Sequence, residues 1–293
     1  MKPFKLTPIK AKRLLGHVKQ PDHWFGLKYN MNLYRGCQHQ CIYCDTRSEC
    51  YQIKDFSNEI LYKENAIELL RKELATKRVK GVIGLGSMND PYQPIETEMQ
   101  LTHKALKVIA EFGFPLHIIT KSILVLNDLD ILKKINRIFA AVSFTITTTD
   151  DELASILEPG ASLPSERYNA MKTLSENGIS VGISLMPILP YIEDNVENIT
   201  SIIEKAHQAG VKYIVPGFGM TMRDRQRNYY YQKLDEHFPG LKHKYMKKFG
   251  DKYSCSPNNY NELKNVFISL CDKYNISPRM IHYEKKEEQM SLF

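Results

Sequence analysis

The sequence predicts an α/β protein: a partial (β/α)6 barrel of the TIM type with parallel strands, carrying short extensions at both ends. Three observations carry the prediction. Short apolar, β-branched runs alternate with longer stretches of helical period. Several of those runs are almost continuously apolar, as strands covered on both faces must be. Glycine follows two of the helical stretches, at Asn177-Gly178 and Ala209-Gly210, where a left-handed residue ends a helix before the next strand.

In chain order, the expected strands are residues 26–33, 79–85, 116–120, 140–147, 181–187 and 213–216. The helical patterns are 58–76, 101–112, 126–135, 165–177, 194–209 and 225–238, with one more at 261–274. Repeated strand–helix units with short links imply right-handed crossovers and a parallel sheet. Six such units are too few for a closed eight-stranded barrel and suit an open one. Residues 1–25 then form a basic N-terminal extension, 26–222 the barrel core, 223–283 a helical extension and 284–293 a flexible tail.

With 43% hydrophobic and 25% charged residues in 293, the chain has apolar material for a sizeable core. No apolar run approaches the roughly 20 residues that span a bilayer. None follows the basic start Met1-Lys2-Pro3-Phe4-Lys5 as in a signal peptide. A soluble, cytoplasmic protein with no membrane partner is expected. Of six cysteines, three crowd between Cys37 and Cys44, which in a cytosolic chain points to metal or redox chemistry rather than a disulfide scaffold. The net charge of +7 is uneven. Lys2, Lys5, Lys10, Lys12, Arg13 and Lys19 precede any acid, and a second basic stretch runs from Arg223 to Lys252. Such a bias suits either a solvated surface or a track for nucleic-acid phosphates.

In parallel barrels chemistry collects at the carboxyl ends of the strands. Those ends here carry residues 36–44, 86–93, 120–121, 147–150, 186–190 and 216–222, the polar, glycine-rich and proline-rich parts of the chain. The first reads Tyr34-Arg35-Gly36-Cys37-Gln38-His39-Gln40-Cys41-Ile42-Tyr43-Cys44, a C-x₃-C-x₂-C spacing. A structural zinc site wants four N or S ligands, usually as two separated pairs. A thioredoxin-like pair needs only C-x-x-C and leaves Cys37 without a role. A three-thiolate iron–sulfur cluster uses all three residues and leaves one iron open for a cosubstrate.

This motif, with the aromatic Tyr43 before its last cysteine, resembles the signature of the radical S-adenosylmethionine superfamily. The resemblance implies a [4Fe–4S] cluster on Cys37, Cys41 and Cys44. Its open iron would chelate the methionyl amino and carboxylate groups of S-adenosylmethionine. One electron would then cleave that cosubstrate to methionine and a 5′-deoxyadenosyl radical. The stretches Gly86-Ser87-Met88-Asn89-Asp90-Pro91-Tyr92, Thr120-Lys121-Ser122, Ser143-Phe144-Thr145 and Glu158-Pro159-Gly160, with Pro164-Ser165 and Arg167, resemble the branch that holds spore photoproduct lyase. By that resemblance Ser87, Asn89 and Asp90 face the methionyl end, Lys121 and Ser143 contact its carboxylate or ribose, and Tyr43 and Met186 lie near adenine. Asp90 and Tyr92 are the catalytic candidates. The lyase itself carries a hydrogen-donating cysteine near the place of Ser87, and this chain has none there. Tyr92, Cys50, Cys255 or Cys271 are the replacements to consider.

The chain ends Gln289-Met290-Ser291-Leu292-Phe293. This resembles the short peptide by which bacterial repair and replication proteins bind the sliding clamp; the alternative is that Leu292 and Phe293 pack back on the barrel. Tyr229-Tyr230-Tyr231 beside Arg223, Arg225 and Arg227 offers aromatics for exposed bases. Together these favour DNA as the partner and a lyase-like repair reaction, with a ferredoxin or flavodoxin as electron donor. The competing expectations are a radical enzyme acting on RNA, a peptide or a small molecule, and a non-catalytic, clamp-recruited DNA sensor.

Overall fold

The computed structural model of the chain describes residues 4–19 and 24–284. Its main sheet has seven strands whose spatial order follows the sequence: Leu15–His17, Tyr29–Met31, Ile83–Leu85, Leu116–Thr120, Ala140–Thr145, Ser180–Ile188 and Tyr213–Phe218. The first pair is antiparallel, Leu15 facing Met31. Every later pair is parallel, so the six strands from Tyr29 onward form the open α/β barrel that the repeated units imply. The strand Ala140–Thr145, inside the sheet, is buried at every residue, which explains its largely apolar reading. Helices Leu101–Phe112, Pro164–Glu176 and Val196–Gln208 alternate with the strands; Tyr260–Tyr274 packs on Val196–Gln208. No helix among the described residues is long and apolar enough to cross a membrane.

The structure departs from the sequence reading in one instructive place. The expected helix 58–76 is a strand, Glu59–Lys63, followed by a helix, Ala66–Ala75. Ile60-Leu61-Tyr62 is β-prone, and what decides the matter is pairing with distant chain. The strand runs parallel to Lys5–Ile9 and antiparallel to Tyr34–Arg35. The basic N-terminal segment is thus woven into two sheets, Lys5–Ile9 into this small one and Leu15–His17 into the edge of the barrel. Asn65 holds the turn by a side-chain pair with Ala11, at 2.9 and 3.0 Å.

Beyond the barrel, Asp224–His237 and Leu241–Phe249 form a second apolar core. Tyr230, Leu234, Tyr245 and Phe249 pack there with Ile42 and Tyr43 of the cysteine loop. The clamp-like residues Gln289 to Phe293 lie outside the described residues.

Candidate active site

The loop that bears the three cysteines leaves the strand Tyr34–Arg35 and is tied down on every side. The Gln38 amide donates to Gln93 Oε1 at 3.0 Å, and the Ile95 amide donates to Gln38 Oε1 at 2.7 Å. Gln40 donates to the Cys37 and Phe56 carbonyls, while Arg47 donates to Gln40 Oε1 at 2.7 Å. The Ile42 amide reaches the Leu157 carbonyl and the Gly160 amide reaches that of His39. Gly160 has to be glycine for this approach, because a Cβ there would lie 2.2 Å from the Gln38 carbonyl oxygen. The result is a rigid frame that presents three thiols to one side.

Cys37 and Cys41 are buried, Cys44 is half-buried, and all three are free thiols lining a cavity of about 490 Å³. Burial, with the Asp90 charge adding to it, pushes the Cys37 thiol up to about 12. Burial also raises Cys41, opposed by the ammonium of Lys121. Bare thiolates are therefore disfavoured here, and a metal centre that takes up their charge relieves this cost. Among the described residues no three His, Cys, Asp or Glu side chains converge as a single ion requires. A four-iron cluster asks for something else, one thiolate on each of three separate irons, and three thiols around one cavity fit it.

Facing the loop are the carboxyl ends of the next strands. Gly86, at φ +98°, lets the chain turn where a Cβ would sit 2.0 Å from the Ile119 carbonyl oxygen. Ser87 is exposed and donates to Asn30 Oδ1 at 3.1 Å. Asn89 donates to the Tyr34 carbonyl. Asp90 is a staple: its carboxylate accepts from the Tyr92 amide at 2.8 Å, Thr120 Oγ1 at 2.7 Å and the Lys121 amide at 2.6 Å. His39 Nδ1 stands 3.4 Å away, and burial pulls that imidazole down to about 4, so it is neutral near pH 7. Asp90 thus joins two strand ends to the cysteine loop, and this geometry makes it a positioning residue.

A buried ionic group completes the wall. The Tyr43 phenol donates to Glu158, and Arg167 donates to the other oxygen of the same carboxylate. Arg167 is 1% exposed and also donates to the Thr145 and Ser162 carbonyls, at 2.8 and 2.7 Å. Lys121 Nζ lies 4.0 Å from Glu158 and 5.8 Å from the Tyr43 ring centre. Burial pushes the Glu158 carboxyl up, but Arg167 and Lys121 outweigh it and hold it below its ordinary value. Burial opposes the charge on Lys121 too, and Cys41 and Glu158 more than restore it. Lys121 is then a cation held at the cavity edge for an anionic group.

Of the site residues read from sequence, Tyr43, Ser87, Asn89, Asp90, Lys121 and Met186 line the cavity beside the cysteines. Two do not. Ser143 is fully buried within the barrel, its hydroxyl 2.8 Å from both His117 Nε2 and the Tyr213 hydroxyl. The Tyr92 phenol turns away and donates to Asp128 at 2.8 Å, facing a separate hollow with His103. The basic–aromatic cluster is also spent inside the molecule. Arg225 donates to the Arg47 and Ile53 carbonyls, Arg227 pairs with Asp251, and Arg223 pairs with Asp45. Tyr230 is buried, and the Tyr229 ring lies 3.6 Å from the Arg47 guanidinium. Arg223 and Arg225 fasten the helix Asp224–His237 to the segment just after the three cysteines, and of the three adjacent tyrosines Tyr230 is buried and Tyr229 is stacked on Arg47. Cys255 and Cys271 are buried, Cys50 is exposed, and the three motif cysteines are the only thiols lining the cavity among the described residues.

Sequence reading missed Trp24, Asp45 and Thr46, which line the cavity, and gave no role to Gly217, Phe218 and Gly219 within the strand-end segment 216–222, which line it too. The two glycines straddling Phe218 at a strand end were the available signal. Gly217 and Gly219 allow close packing on Met186 and on the Cys255 carbonyl. Also missed was Glu193, buried behind this wall with one oxygen accepting from the Leu189 amide and the other without a partner among the described residues. Burial pushes its carboxyl up to about 8. Its folded-state value lies above the ordinary 4.5, so its contribution to stability is complete below that value and is lost as pH rises through about 8. Between those limits the loss is about 1.4 kcal/mol per pH unit. Glu193→Gln should flatten this fall in urea titrations at pH 5.5 and 7.5; parallel behaviour of variant and wild type would refute the assignment.

The sequence model of the radical SAM superfamily matches residues 31–200. An uncharacterized protein of Methanocaldococcus jannaschii is 37% identical over 193 residues, 65% of this chain and 70% of that one. An uncharacterized protein of Mycobacterium tuberculosis is 26% identical over 257 residues, 85% of this chain and 75% of the other. Among solved structures, a spore photoproduct lyase mutant with bound AdoMet and dinucleoside spore photoproduct is similar at a TM-score of 0.66. The likeness covers 92% of this chain and 79% of that one at 16% identity, which makes it a likeness of fold.

Proposed function

The chain belongs to the radical SAM superfamily, and from that premise we propose that it acts on damaged or modified DNA by a spore photoproduct lyase-like reaction. The premise itself makes it an enzyme that uses a [4Fe–4S] cluster and S-adenosylmethionine and needs an electron donor. When bound, that pair supplies a 5′-deoxyadenosyl radical able to abstract hydrogen.

The observation that carries the reading is the single cavity in which the three thiols meet Asn89, Lys121 and Met186 at the carboxyl ends of parallel strands. Cys37, Cys41 and Cys44 would hold the cluster. Lys121 would take the cosubstrate carboxylate, with Asn89 and Ser87 beside the methionyl group and Tyr43 and Met186 near adenine. Asp90 would keep that wall in place. Apolar Trp24, Met186, Phe218 and Met220 line the same cavity and suit a nucleobase turned out of its stack, which a lesion already weakens. DNA is favoured because the fold likeness to the lyase covers 92% of this chain, more than the superfamily match over residues 31–200. Among the described residues no thiol lines the cavity beyond Cys37, Cys41 and Cys44, and the proposed step is transfer of one hydrogen atom from the lesion to the 5′-deoxyadenosyl radical, giving 5′-deoxyadenosine and a lesion radical.

The test is anaerobic reconstitution with iron and sulfide, then dithionite and S-adenosylmethionine, with 5′-deoxyadenosine measured alongside intact or ultraviolet-irradiated DNA. Formation without DNA is expected, with a several-fold rise on irradiated over intact DNA. Equal rates on both, with a rise on RNA or a peptide instead, would overturn the DNA reading and leave the enzyme reading standing. Tight DNA binding by a reduced cluster that never yields 5′-deoxyadenosine would point to the sensor.

A further inference from the structure

A second cavity, of about 410 Å³, lies on the outer side of the cysteine loop. Thr46, Met88 and Asn89 line both it and the main cavity, so one layer of residues separates the two. Its charged lining has one sign: Lys10, Lys12, Arg13, Arg35 and Lys63, with no acid among them. The fold explains why they gather. Lys10 to Arg13 follow the strand Lys5–Ile9, which pairs with Glu59–Lys63, and that strand pairs with Tyr34–Arg35 at the head of the cysteine loop. The basic start of the chain is thereby folded against the loop.

Neither member of the half-buried pair, Arg35 and Lys63, forms an ion pair among the described residues; the one acid that acts on Lys63, Glu73, is taken up by the Leu14 and Leu15 amides and only partly offsets the other effects. Arg35 donates to the Tyr51 carbonyl at 2.8 Å and Lys63 to the Asn32 carbonyl at 2.6 Å. Burial, and after it the charge on Arg35, hold the Lys63 ammonium below its ordinary value. Like charges gathered around one hollow repel one another, and that repulsion is relieved when an anionic surface fills it.

We propose that this basic hollow is the docking surface for the acidic electron carrier that reduces the cluster. The proposal rests on the chain being a radical SAM enzyme with its cluster at Cys37, Cys41 and Cys44. Substrate and cosubstrate occupy the main cavity, so a carrier has to approach through another face, and the hollow is one residue layer behind the loop. A nucleic-acid strand is the competing occupant, and the experiment below separates the two by reading oligonucleotide binding beside flavodoxin reduction. In the transfer itself a flavodoxin in its anionic hydroquinone state gives up one electron and becomes the neutral semiquinone. The oxidised cluster gains that electron, and no bond is made or broken.

Lys12 and Arg13 are exposed, so Lys12→Glu/Arg13→Glu reverses two charges without unpacking the core. The holoprotein is tested in two ways: stopped-flow reduction by flavodoxin hydroquinone, and fluorescence anisotropy of labelled flavodoxin at low and high salt. The variant should be reduced at least tenfold more slowly, bind more weakly at low salt, and lose most of the salt dependence of the wild type. Reduction by photoexcited deazaflavin should be unchanged, as should all readouts in Lys133→Glu/Lys134→Glu on the helix Leu129–Ile135. Unchanged flavodoxin kinetics, an equal loss in the Lys133/Lys134 variant, or loss of oligonucleotide binding with flavodoxin reduction intact would each overturn the proposal. Because cluster reduction and binding are read directly, absence of 5′-deoxyadenosine from deazaflavin-reduced wild type would count against the enzyme reading and not against the docking surface.

Discussion

Replacing Cys41 by alanine is expected to abolish 5′-deoxyadenosine formation, bringing it to the level of a no-enzyme blank. Cys41 is buried in the middle of the three-thiol loop, and its neighbours are fixed by backbone bonds from Ile42 to Leu157 and from Gly160 to His39. No other cysteine lines the cavity among the described residues, so nothing can take its place as ligand. Two thiolates cannot hold a cluster that needs three. Iron and sulfide content and the visible absorption of reconstituted protein should fall together with activity. The fold should persist, because the loop's anchors are amides and side chains other than the thiol, and a thermal melt of the unreconstituted proteins checks this. Retained cleavage of S-adenosylmethionine by the alanine variant would end the proposed assignment of the ligands.

The second large effect is on stability. Arg167→Met should destabilise the fold by about 3–5 kcal/mol, because it strands the Glu158 charge in the interior. Arg167 and Glu158 are 1% and 3% exposed, and the guanidinium is also bonded to two carbonyls that would lose their donors. The sign with pH follows from the low folded-state value of Glu158. Its stabilising contribution is present above the ordinary glutamate value and fades as pH falls through the lower, folded-state one. Without Arg167 that carboxyl should titrate higher, so the variant's acid-side loss should begin nearer neutral pH. Urea midpoints at pH 7 and pH 5 measure both effects. Arg167→Met/Glu158→Gln should recover a large part of the loss, since no buried charge is then left unpaired. A single variant within 1 kcal/mol of wild type at pH 7 would show that the pair is not the anchor described here.

The same architecture explains why some site residues were legible in the chain and others were not. The six parallel strands were readable because a strand covered on both faces is largely apolar, and Ala140–Thr145 is buried at every residue. The cysteine motif was readable because its ligands are local, one loop following one strand. Asn89, Asp90 and Lys121 came with it because strand ends of a parallel barrel share one face. Ser143 and Tyr92 were misplaced for the complementary reason. Alternation along a strand sends neighbouring side chains to opposite faces, and Ser143 points into the barrel interior toward His117 and Tyr213. Tyr92 follows Asp90 by two positions, but the turn carries its ring toward Asp128.

By itself, then, the sequence determined the fold class, the alternation of parallel strands with helices and the three crowded thiols, because each depends on spacing within a few residues or on one-dimensional apolar pattern. Tertiary structure alone decided what the charges are for. The arginines at 223, 225 and 227 read as one surface, yet Arg223 pairs with Asp45, Arg225 with the Arg47 and Ile53 carbonyls and Arg227 with Asp251, whereas Lys10, Lys12 and Arg13 come to line one hollow with Arg35 and Lys63. The strand Glu59–Lys63 likewise depends on Lys5–Ile9, some fifty residues away in the chain, and on Tyr34–Arg35 lying on either side of it. Long-range pairing and the sharing of buried charge are properties of distance in space, and a linear sequence records no such distance.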